Sequence, residues 1–166
     1  MKLSERLEKE LNRQVTMELG AAYIYKGMEQ YFREENMTKY AAFFTDHIEE
    51  EIEHAEDFRD FIEDVGGHVE YGALDEVSTE FKSPRDVFEK AMEHEKKVSA
   101  SIKGILEIAI EENHYAAENF LRTYIDEQVE EEDLFGTLLD LVIKSEEDIF
   151  ATFELNKMLA KYEEEA

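Results

Sequence analysis

The chain has 166 residues, of which 37% are charged, and it carries a net charge of −25 with one proline, seven glycines and no cysteine. Without cysteine there is no disulfide framework, no thiolate zinc site and no iron–sulfur cluster, and an excess of acid this large disfavours nucleic acid and anionic membranes as partners. No apolar run approaches the roughly 18 residues of a membrane span, and the start, MKLSERLEKE, is too charged for a signal peptide, so a cytoplasmic location is expected. Few glycines and prolines favour long helices over a sheet. The length favours one domain, 1–166, with ample chain for a core.

The first helix is predicted from about Ser4, a plausible N-cap, to Glu35, with Asn36 ending it. Its core face reads Leu7, Leu11, Gln14, Glu18, Ala21, Tyr25, Met28, Phe32, in alternating steps of four and three. Thr38 is the expected N-cap of a second helix ending at Gly66-Gly67, with core face Tyr40, Phe44, His47, Glu51, His54, Phe58, Phe61, Val65. A link this short makes the two helices antiparallel.

Residues 68–82 lose the helical repeat, within a connecting segment at 66–83. A helix of about 28 residues is roughly 42 Å long, and this segment can reach roughly 60 Å when extended. It can therefore return along the whole bundle and start the third helix parallel to the second. Ser83-Pro84 restarts the repeat, as N-cap and first helical residue. The third face reads Phe88, Met92, Glu95, Ser99, Ile102, Leu106, Ala109, and ends near Glu112. After a turn at Asn113-His114 the fourth reads Ala117, Leu121, Tyr124, Gln128, Glu131, Phe135, Leu138, Val142. Ser145 is expected to begin a short fifth helix ending near Tyr162, with Ile149, Phe153 and Leu159 on one stripe. The expected architecture is all-α: a four-helix bundle over about 4–143, one long crossover at about 66–83, and a fifth helix at about 145–162.

Each of the four faces is interrupted near its middle by metal-ligand types: Glu18, Glu51 with His54, Glu95, and Gln128 with Glu131. Two of these pairs have the i,i+3 spacing that shares a helix face. Four unpaired carboxylates in a low-dielectric core would cost tens of kcal/mol. Two divalent cations would offset their charge, and carboxylate-rich ligation with one imidazole favours iron or manganese. A polar layer that only fixes register is the plainer reading, but one or two residues normally serve that purpose.

These residues, over nearly the whole chain, resemble the ferritins, and specifically the non-haem ferritins of bacteria and archaea. Glu18 with Tyr25 two turns on, Glu51-x-x-His54, Glu95 after a long crossover, Gln128-x-x-Glu131, the run Glu-Gln-Val-Glu-Glu-Glu at 127–132 and the short fifth helix carry the resemblance. It implies a ferroxidase that oxidises Fe(II) with O2 or H2O2 and stores Fe(III) as mineral in a hollow homo-oligomeric cage, of about 24 subunits in that family. It implies that Glu18, Glu51 and His54 hold one iron and Glu51, Glu95 and Glu131 the other, with Glu51 bridging. Gln128 would hydrogen-bond near the site or orient oxygen, and Tyr25 would hydrogen-bond a ligand or donate an electron. Glu50, Glu127 and Glu130 would form a third, adjacent iron site. Bacterioferritins end the last motif with His and have a haem-binding Met after the bridging Glu; Glu131 and Ile52 stand there, so no haem is expected. The alternative is a di-metal oxidase or peroxide scavenger without storage. His47, one turn before Glu51, is expected to be a hydrogen-bonded core histidine, with lining an iron path as the other reading.

Overall fold

A computed structural model describes residues 2–165, so the two ends of the expected domain, Met1 and Ala166, lie outside the described residues. Five helices follow in order: α1 Glu5–Glu34, α2 Thr38–Asp64, α3 Pro84–Glu111, α4 Tyr115–Ser145 and α5 Ile149–Glu165. There is no strand among the described residues.

The helix ends follow local chemistry. Ser4 Oγ accepts the Leu7 N–H and Ser83 Oγ accepts the Asp86 N–H, with Pro84 as first helical residue. At the far ends of α1, α2 and α3, the N–H groups of Met37, Gly67 and His114 reach back to the carbonyls of Phe32, Ile62 and Ala109. This is the six-to-one bond of a Schellman motif, and it needs one left-handed residue. Asn36 (φ 58°), Gly66 (φ 76°) and Asn113 (φ 56°) supply it.

Two expected boundaries move. Met37, not Thr38, occupies the N-cap of α2, and the Thr38 hydroxyl bonds Glu163 instead. Ser145 ends α4 rather than starting α5, because its hydroxyl donates to the Val142 carbonyl. Asp148 does the capping, accepting the Phe150 N–H at 2.9 Å.

Residues 65–83 lie along α1 in its own direction, which returns the chain to the start of α3. Asn12 binds the carbonyl of His68 and the N–H of Glu70, Thr16 accepts the Gly72 N–H, and Gly27 lies under the Ser78 carbonyl. A Cβ at Gly27 would sit 2.2 Å from that oxygen, so close approach explains this glycine. At Gly104 a Cβ would meet nothing within 4 Å.

The bundle has two apolar cores. One holds Tyr25, Phe32, Phe44, Phe88, Phe135 and the α5 residues Leu155, Leu159 and Tyr162. The other holds Leu7, Leu11, Phe58, Ile102, Leu121 and Tyr124. The predicted faces supply most of both cores. Neighbouring positions such as Phe43, Ile62, Val87 and Val98 are also buried, because a bundle helix buries a stripe wider than a strict heptad seam. The fifth helix corrects the expected stripe: Ala151, Leu155, Leu159 and Tyr162 face inward, while Ile149, Phe150 and Phe153 are exposed.

Candidate metal centre

Between the two cores lies a polar layer. In α1 it falls between Val15 and Ala22, in α3 between Ala91 and Val98, and in α4 between Tyr124 and Phe135. Gln14 and Glu95 are 0% exposed, Glu18 1%, Glu51 4% and Gln128 5%. Groups this deep must be paired or neutralised.

Glu18, Glu51 and His54 converge, with one potential ligand atom of each within 4.8 Å of the others. Gln14 Nε2 donates to Glu18 Oε1 at 2.7 Å, and the Ser101 hydroxyl donates to Gln14 Oε1 at 2.5 Å. Glu18 Oε2 and Glu51 Oε2 are buried and have no hydrogen-bond partner. His54 turns Nδ1 to Glu51 Oε2 at 3.4 Å and Nε2 to Glu127 Oε1 at 2.8 Å.

Across the layer, Glu95 is held from two sides. The Tyr25 hydroxyl donates to Oε1 and Gln128 Nε2 donates to Oε2 at 3.0 Å, with Ser99 Oγ 3.2 Å from the same nitrogen. Glu131 Oε2 is buried without a hydrogen-bond partner, 3.4 Å from His47 Nε2. Glu50, Glu127 and Glu130 do not gather: Glu127 bonds His54, Glu50 faces His47 at 3.7 Å, and Glu130 is exposed. His47 is half satisfied. Its Nδ1 bonds the Phe43 carbonyl at 3.0 Å, and its buried Nε2 has no hydrogen-bond partner.

Burial raises the carboxyl of Glu18 well above its ordinary range, and the neighbouring Glu51 adds to it. Burial likewise raises Glu51 and Glu95. Burial would lower His54, but Glu127 and Glu51 outweigh it and push the imidazole up to about 11. His47 is raised to about 9 against its own burial by Glu131 and Glu50. Glu127 is lowered by His54. Without a metal, burial therefore favours protons on Glu18, Glu51 and Glu95, while His54 and Glu127 favour their charged forms. Unpartnered buried oxygens on three carboxylates, with an imidazole among them, are the donor set that a divalent transition metal would replace protons on.

A ferritin-like domain model matches residues 8–144. The chain belongs to the ferritin family. It is 35% identical over 140 residues to a bacterial non-heme ferritin of Campylobacter jejuni, covering 84% of each chain. It is 32% identical over 157 residues to one of Staphylococcus aureus, covering 95% of each. The ferritin fold matches that of an open-pore ferritin from the archaeon Archaeoglobus fulgidus, with a TM-score of 0.89 at 34% identity over 95% of this chain and 96% of that one.

Sequence reasoning named every carboxylate and the histidine of this ferritin's polar layer, but not their supports. Gln14 and Ser99 stood on the heptad faces without a role, and Ser101 stands off its face. The role of Glu127 as the partner of His54 depends on how α2 and α4 are rotated, which no single-helix spacing encodes.

Proposed function

We propose that this ferritin stores and detoxifies iron, oxidising Fe(II) at a paired site. The observation that carries the reading is the convergence of Glu18, Glu51 and His54 in a buried layer, with buried oxygens on Glu18, Glu51 and Glu131 lacking a hydrogen-bond partner. Iron is the substrate. Glu18, Glu51 and His54 hold one Fe(II); Glu51, Glu95 and Glu131 hold the second, with Glu51 between them. Each Fe(II) gives up one electron, and O2 or H2O2 takes two.

The protein's own groups do the positioning. Glu127 fixes the His54 ring from its far nitrogen, leaving Nδ1 for the metal. Tyr25 and Gln128 hold the Glu95 carboxylate in place, and Tyr25 is close enough to hand over an electron. A third, outer iron would have to draw Glu50, Glu127 and Glu130 together, taking Glu127 from His54 and Glu50 from His47. The second iron has oxygen ligands only, so its oxidised product is held weakly and moves on to mineral. The mineral forms inside a cytoplasmic homo-oligomeric cage of about 24 copies.

Aerobic Fe(II) titration followed by size-exclusion chromatography tests this. Iron retained in one large soluble species, far beyond what its ligands hold, is expected. Uptake that stops at about two or three ions per chain would overturn storage and leave a di-metal oxidase.

A further inference from the structure

Two side chains grip Glu18 from behind and are used by no step so far. Gln14 and Glu18 lie one turn apart on α1 and are both buried in the polar layer. Ser101 reaches them from α3, half-buried and 87 residues from Gln14 in the chain. A carboxylate can only accept hydrogen bonds, so Glu18 Oε1 faces the Gln14 amide nitrogen, 2.7 Å away. The Gln14 oxygen is thereby turned the other way, where the Ser101 hydroxyl donates to it at 2.5 Å. The chain Ser101–Gln14–Glu18 has one direction, because a turned-over amide would set oxygen against oxygen at Glu18.

Only one Glu18 oxygen is taken. Oε2 is buried without a hydrogen-bond partner, and Glu18 converges with Glu51 and His54. Glu95 differs: Gln128 bonds one of its oxygens and Tyr25 the other.

We propose that Gln14 and Ser101 are positioning residues of the paired site: the chain from Ser101 through Gln14 occupies Glu18 Oε1 and reserves Oε2 alone for a divalent metal ion. Glu18 then binds through one oxygen, and the coordination place that a two-oxygen carboxylate would fill stays open for the oxidant. This role presupposes the paired site proposed above, since Glu18 is one of its ligands.

Anaerobic Co(II) titration of the full chain, followed by visible absorption, tests it, because Co(II) absorbs more strongly in four- or five-coordinate sites than in six-coordinate ones. Gln14→Met keeps the side-chain length and removes both hydrogen bonds; Ser101→Ala removes only the outer one. Affinity for the first Co(II) is expected to fall roughly 10- to 100-fold in Gln14→Met, with weaker absorption per bound ion as Glu18 closes on the metal with both oxygens. Ser101→Ala is expected to show a smaller loss of the same kind, restored in Ser101→Thr. Because Ser101 acts through Gln14, Ser101→Ala should cost nothing further in a Gln14→Met background.

Unchanged Co(II) affinity and spectrum in folded Ser101→Ala protein, with only its melting temperature lowered, overturns the inference and leaves the proposed function standing. So does a Ser101→Ala loss that persists in full in the double variant. Tight Co(II) binding in the parent that survives His54→Ala lies elsewhere, and overturns the paired site together with the positioning role.

Discussion

The Tyr25 hydroxyl donates to Glu95, so α1 reaches across the polar layer to fix a carboxylate on α3, seventy residues away in the chain. The Tyr25 ring stacks on Phe135 at 5.8 Å, and that packing survives loss of the hydroxyl. Tyr25→Phe is therefore expected to fold, to lose about 1–3 kcal/mol from the unmade bond to a buried acid, and to oxidise Fe(II) roughly 10-fold more slowly as Glu95 loses its positioning partner. Stopped-flow iron oxidation beside a denaturant melt checks both, and an unchanged rate would remove Tyr25 from the mechanism.

Glu18 is a site where function and stability conflict. Its carboxylate is buried against Glu51, and its Oε2 has no partner. Glu18→Gln removes the charge, while its amide oxygen can still accept from Gln14. The metal-free variant is expected to melt at a higher temperature than the parent, and iron oxidation to fall by roughly 10- to 100-fold. A lower melting temperature would mean that the carboxylate stabilises the empty layer.

The layer also sets a pH dependence. Folding raises Glu18, Glu51 and Glu95 above their ordinary 4.5, and raises His47 and His54 from 6.5 to about 9 and about 11. The folded chain then binds more protons than the unfolded chain, so stability falls as pH rises. The histidine contribution is complete below 6.5 and is lost through 9 and 11; the carboxylate penalty grows from 4.5 upward. Glu127, lowered by His54, works the other way, its contribution being lost on acidification below 4.5. Metal-free protein is expected to melt at progressively lower temperature from about pH 5 to about pH 9, while stabilisation by added Zn(II) grows over the same range. Melting curves with and without Zn(II) check this, and a rising metal-free curve would contradict it.

Gly27 and Gly104 should respond in opposite ways to the same change. Gly27→Ala drives a Cβ into the Ser78 carbonyl and pushes the crossover off α1, at about 1–3 kcal/mol. Gly104→Ala meets open space and gains about 0.5–1 kcal/mol of helix propensity. Thermal unfolding of the pair tells close packing from simple flexibility.

Ile149, Phe150 and Phe153 turn an apolar face of α5 outward. In the assembly proposed above, further copies of the chain cover it. Phe150→Glu with Phe153→Glu is expected to leave helix content unchanged and reduce the oligomer, as read by light scattering after size exclusion. A full-sized oligomer would assign assembly to other surfaces.

The heptad steps alone determined four helices, their inward faces and the level at which ligand residues interrupt them, because burial in a bundle has a period the sequence carries. Asn36, Gly66-Gly67, Ser83-Pro84 and Asn113 likewise announced the turns, since left-handed and capping positions accept few residue types. Ser145 misled because a serine hydroxyl can serve a carbonyl behind it as readily as an N–H ahead, and α5 buried Leu159 of its expected stripe but exposed Ile149 and Phe153 because a short helix chooses its buried face by what it lands on. Contacts between helices belonged to the tertiary structure: Glu127 on His54, Tyr25 and Gln128 on Glu95, Glu131 against His47. Those depend on the rotation and offset of one helix against another, which are set by how both cores pack at once and not by any spacing within a single helix.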